Sequence, residues 1–149
     1  MSSTLFAGAL VALALSMGAS AALAAEGATI FADVCAACHG PEGVGTPGVA
    51  PPLQDPPLWA GLGEKAPGFV AGVVISGLSG TIMSQGVGYY GLVMPPQSDY
   101  SDEDLAAVAS YVLKDLAKVE GVVTPEMVAE RRAAPLSHKE LMAIRGGGM

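Results

Sequence analysis

Cys35-Ala36-Ala37-Cys38-His39 is the stretch that decides how this sequence is read. The chain has 149 residues, and these are its only two cysteines. Two thiols cannot complete a four-thiolate zinc or iron–sulfur site. A disulfide between them would close too small a loop to add much stability. On a helix turning about 100° per residue, Cys35, Cys38 and His39 share one side. Thiols placed this way can bond two adjacent vinyl groups of one haem, and His39 can then turn its imidazole to the iron. The small Ala36 and Ala37 leave the ring room to lie against the helix. Cys-x-x-Cys-His is the spacing that covalent haem attachment requires. The motif therefore predicts one haem c, bound through Cys35 and Cys38, with His39 as a metal ligand. The rival is a redox or metal-binding Cys-x-x-Cys with an incidental histidine, but a thioredoxin-like motif belongs with a βαβ pattern, which this sequence lacks.

Working outward, residues 26–39 read as a first helix, with Gly27, Phe31, Cys35 and Cys38 recurring at spacings of three and four and Gly40 as its stop. Residues 40–68 are rich in Gly and Pro and predict an extended irregular segment. An apolar helix follows over 69–78, then a second Gly-rich loop over 79–98. Ser101, with acids at 102–104, caps the clearest helix, running to about Leu116. Thr124-Pro125 starts a short helix to about Ala134, and Ser137 with Glu140 caps a last turn before residues 146–149 fray. The pattern is all-α with long loops. Loops this long in a small domain need something to organise them.

Residues 1–25 hold no charged side chain. An apolar run from Leu5 to Met17 leads to small residues ending Ala22-Leu23-Ala24. Residues 1–24 are therefore expected to be a bacterial-type signal peptide, and the mature chain to lie in the periplasm. The rival is an uncleaved anchor, since the run approaches the ~20 apolar residues of a membrane span. The membrane enters only in that case. Net charge is −7, and all of it falls after the expected cut. An acidic domain is a poor partner for nucleic acid, whose phosphates call for Lys and Arg.

A haem with one histidine ligand has a second axial position to fill. Methionine there gives a closed, electron-transferring centre of raised potential. Of the seven methionines, two lie in the leader and three near the C-terminus. Met83 and Met94 remain. Pro95 biases Met94 toward an extended conformation that can present its thioether to the iron, so Met94 is the expected sixth ligand. Met83 reads as an apolar gap-filler. His138 reads as a solvated surface histidine.

With these residues in place, the sequence resembles the class I, single-haem cytochrome c family over roughly residues 27–116. The resemblance implies a small helical domain over 25–118 with long Gly/Pro-rich loops around one haem, and a short helical extension over 119–149. It implies that Gly27 and Phe31 pack against the last core helix. It also implies that the carbonyl of Pro51, in Pro51-Pro52-Leu53, accepts the proton of the His39 imidazole. Tyr90 resembles the family's aromatic wall beside the cofactor. Within the extension, Val123-Thr124-Pro125-Glu126-Met127-Val128, ending in Arg131, resembles tails on cytochromes that serve larger periplasmic oxidoreductase systems.

No acid–base pair, nucleophile triad or phosphate loop is present, so no independent catalysis is expected. The expected function is one-electron transfer, as a soluble carrier or as the small haem subunit of a periplasmic oxidoreductase. Its partners would be redox proteins: a dehydrogenase, reductase or oxidase. The alternative is a haem enzyme or gas-binding sensor with an open sixth position. Between Gly43 and Ser98 only Asp55, Glu64 and Lys65 are charged, which predicts a low-charge docking rim.

Overall fold

The computed structural model describes residues 26–146, so the leader and its expected cut lie outside the described residues. Helix α1 spans residues 26–39. It widens into one π-helical turn over Phe31–Cys35 and closes as α-helix over Ala36–His39. Gly40 ends it at φ 72°, where a side chain would be strained. Single π turns often mark functional sites, and this one ends on the first cysteine.

The segment 40–68 is more ordered than its composition suggests. After a 3₁₀ turn at Pro41–Gly43 comes α2 (Pro56–Leu62), then a second 3₁₀ turn at Gly63–Lys65, then α3 (Ala66–Ser76). Prolines that read as breakers stand instead in the first turns of α2 and α3, where a missing N–H costs nothing. Asp55 caps α2 by accepting from the Leu58 N–H at 3.3 Å. Its other oxygen accepts from Ser84 Oγ at 2.6 Å, so this buried carboxylate joins α2 to the next element.

That element is an antiparallel hairpin of β1 (Leu78–Ser84) and β2 (Val87–Met94), where the sequence had suggested loop. Leu78 pairs with Met94 and Ser84 with Val87, with an irregularity between Gly80 and Ile82. Gln85 and Gly86 turn the corner at φ 49° and 79°, the two left-handed residues that match strand twist. Alternation along β1 puts Ile82 inside and leaves Met83 exposed, so Met83 is not a core gap-filler.

Helix α4 (Asp102–Tyr111, extended by a π turn over Val112–Leu116) starts at Ser101, whose Oγ accepts from the Asp104 N–H. It crosses α1 closely. A Cβ on Gly27 would sit 2.4 Å from the Ala107 carbonyl oxygen. Phe31 and Tyr111 meet with ring centroids 5.7 Å apart. Backbone cannot step aside as a side chain can. Gly27→Ala is therefore expected to lower stability by about 1–3 kcal/mol despite alanine's better helix propensity. In urea unfolding, the midpoint should fall with little change in slope.

Residues 119–146 are built into the same core. Helix α5 (Pro125–Ala133) is capped by Thr124, and α6 (His138–Arg145) opens with a Ser137–Glu140 capping box, giving a full helix rather than a single turn. Val123, Val128 and Leu141 are buried in one apolar cluster with Phe31, Trp59, Leu105 and Leu113. Gly72 of α3 makes room for Leu141; a Cβ there would lie 2.9 Å from Leu141 Cδ2. Ser110 Oγ donates to the Val123 carbonyl and accepts from its N–H, both at 3.0 Å. Arg132 pairs with Asp102 at 2.9 Å and donates to the Ser98 and Tyr100 carbonyls, strapping the segment between β2 and α4.

His138 is exposed but tethered, unlike the freely solvated residue expected. Its Nε2 donates to the Ser76 carbonyl at 3.1 Å and its Nδ1 meets Ser79 Oγ, tying α6 to the α3–β1 junction. Among the described residues no helix is long and apolar enough to cross a membrane.

Candidate functional site

The elements enclose a cavity with mostly apolar walls. Helix α1 contributes Cys35, Cys38 and His39, the following segment contributes Pro51, and the end of β2 contributes Met94. Helices α2, α3 and α4 supply Trp59, Phe69 and Val108. Both thiols, the imidazole and the thioether thus open onto one space.

The environment of each group follows from its position. Burial lowers the pKa of His39, and the Pro51 carbonyl nearby pulls it partly back. The ring is therefore neutral at pH 7, the state a metal ligand needs. Its Nδ1 is buried with no partner in hydrogen-bond geometry. Burial pushes the Cys35 thiol up to about 11, with Cys38 adding to the effect. A thiol that keeps its proton at neutral pH is unlike the low-pKa thiolates of redox Cys-x-x-Cys motifs.

Met94 is half-buried at the last position of β2. Gly77, at φ 69°, lets that strand come close; a Cβ there would lie 2.4 Å from the Met94 carbonyl oxygen. Beyond it, the Gln97 N–H donates to the Val74 carbonyl at 2.8 Å and its side chain to the Pro95 carbonyl at 3.0 Å. The strand end is thereby fixed on both sides of the two prolines.

Tyr90 does not join the site. Strand alternation sends Tyr89 into the core and leaves Tyr90 76% exposed, away from the cavity lining. Two lining residues escaped the sequence reading. Trp59 is buried, and its Nε1 donates to the Leu53 carbonyl at 2.6 Å. Its signal was present, as the chain's one tryptophan behind the Asp55-Pro56 helix start. Arg145 reaches the cavity from the last turn of α6, and nothing local to its sequence points there.

The donor set suits a covalently held haem. Two thiols stand at the attachment spacing, a neutral imidazole and a thioether share their cavity, and the walls are apolar. The sequence model of the family described as Cytochrome c matches residues 24–115. The chain belongs to the cytochrome c family.

Within that family it is of the class I, single-haem kind, and its role is haem-based electron transfer. It is similar to a cytochrome c-552 of Thermus thermophilus, with 35% identity over 136 residues covering 88% of this chain and 90% of the relative. A second Thermus thermophilus cytochrome c-552 shares 35% identity over 126 residues, covering 81% of this chain and 95% of the relative. Coverage that high extends past residue 115, so the cytochrome likeness includes part of the C-terminal extension. A shorter stretch of 46 residues is 54% identical to the Cbb3-type cytochrome c oxidase subunit CcoP of Cereibacter sphaeroides, covering 31% of this chain and 16% of that subunit.

Proposed function

We propose that the mature protein is a periplasmic carrier of single electrons. In this reading Cys35 and Cys38 would hold one haem c, and His39 and Met94 would be the ligands to its iron. The carrying observation is that these four side chains open onto one apolar cavity. Each cysteine would hold it by a thioether, sulfur adding to one carbon of a vinyl group and hydrogen to the other, with no net oxidation. When bound, the haem supplies an iron that gains and loses one electron.

The chain's own groups set how readily that happens. The Pro51 carbonyl, close to the His39 ring, would accept the Nδ1–H that has no partner here, and so orient the imidazole. Apolar walls disfavour the more highly charged ferric centre, and a Met94 thioether acts in the same direction. Val49 and Val93 line the cavity yet are 52% and 75% exposed, while Asp55 is buried. The mouth is therefore apolar and low in charge. That favours docking of a redox partner by surface contact, with the acids of residues 99–120 steering from a separate face. A dehydrogenase, reductase or oxidase fits this role, with the protein either free or as a small haem subunit.

The test is expression of the full chain with haem-attachment machinery, followed by cell fractionation, mass analysis and spectra. The expected product is periplasmic, begins near Ala25, and carries one haem that survives denaturation. Cys35→Ala with Cys38→Ala should abolish that retention. Wild-type protein without covalent haem would sink the proposal, and ready binding of carbon monoxide to its ferrous form would favour an open-site sensor or enzyme.

A further inference from the structure

We propose that Arg145 forms a carboxylate subsite at the edge of this cavity and pairs with one haem propionate. The inference rests on the haem reading above. Haem is a flat apolar ring bearing two carboxylates. The cavity offers apolar walls for the ring, and Arg145 is the only Lys, Arg, Asp or Glu among the residues lining it.

Its placement is built in. Arg145 ends α6, which is anchored by the fully buried Leu141 and by the bonds of His138 to the α3–β1 junction. The guanidinium spends one bond on the Met83 carbonyl, from Nη1 at 3.2 Å. A guanidinium carries five N–H donors, so most of its fork remains for a ligand. Among the described residues Arg145 makes no ion pair. Asp55 is the carboxylate whose field it feels, but that side chain is engaged with the Leu58 N–H and Ser84 Oγ. Burial lowers the pKa of Arg145 and Asp55 only partly restores it, as expected of a cation short of a partner. A carboxylate at the cavity edge would satisfy both charge and fork.

The bland role for Arg145 is a strut holding α6 to β1 through Met83. The experiment separates the two with haem-loaded full chain, using Arg145→Gln and Arg145→Lys. Covalent haem content and the iron–methionine band are recorded first. Wild-type protein lacking haem would count against the haem reading and not against this pairing. In loaded protein, Arg145→Gln should shift the redox equilibrium toward ferric by on the order of tenfold, about 59 mV for one electron. Arg145→Lys should keep most of the wild-type value. Haem made from carboxyl-labelled 5-aminolevulinate carries ¹³C in both propionates. Its infrared carboxylate bands should show one propionate shifting in Arg145→Gln. An unchanged potential with unchanged bands, even alongside a lower Tm, would overturn the proposal in favour of the strut. A fall in potential with both bands fixed would also overturn it, since the charge would then act at a distance.

Discussion

Met94→Ala should convert a closed electron-transfer centre into an open one. The ferric iron–methionine charge-transfer band should vanish, and the ferrous protein should bind carbon monoxide where the wild type does not. A thioether favours ferrous iron, so its loss should lower the potential. More than about 100 mV is expected at ~59 mV per tenfold change, well inside the ~0.8 V range that axial ligands govern. Spectroelectrochemistry of both proteins measures it. A variant that kept the band and the potential would mean another group supplies the sixth ligand. The expectation has a structural basis beyond the sequence motif. Met94 ends a paired strand, faces the cavity, and is fixed by the close approach of Gly77 and the bonds of Gln97.

Leu141→Ala should destabilise the protein by about 2–5 kcal/mol, the cost of emptying a fully buried leucine site. Total stability of a domain is only about 5–15 kcal/mol, so this is a large share. Urea unfolding of haem-loaded protein would show it as a lowered midpoint. If residues 119–146 lay on the surface as an appendage, the same change would stay within about 0.5 kcal/mol. The packing of Leu141 over Gly72, with no room for a Cβ between them, argues for the larger figure.

Features written in adjacent residues were legible. Cys35, Cys38 and His39 fall at the end of one helix and line one cavity, and Ser101, Thr124 and Ser137 cap the helices that follow them. The Gly27–α4 approach was implied only by the family resemblance; the structure supplies its reason, a crossing with no room for a Cβ. Composition misled elsewhere. Pro56 and Pro67 looked like breakers but begin helices, and the glycines of residues 77–91 disguised a hairpin whose alternating Leu78, Ile82, Ser84 and Tyr89 face inward. Choosing between Tyr89 and Tyr90 required the phase of that alternation, which depends on register. Arg145 and His138 gain their roles from contacts with elements some sixty residues earlier, as in Arg145 to Met83 and His138 to Ser76. No local pattern encodes such a meeting.

The two ends of the described chain are each fastened to its middle, Gly27 against Ala107 and Leu141 against Gly72. This bears on timing. A chain leaves the ribosome from its N-terminus, and contacts distant in sequence form only once both partners exist. The wall to which α6 contributes cannot close until His138–Arg145 has emerged. Cys35 and Cys38 emerge well before α6, so both thiols stay open to reagents until that wall is in place.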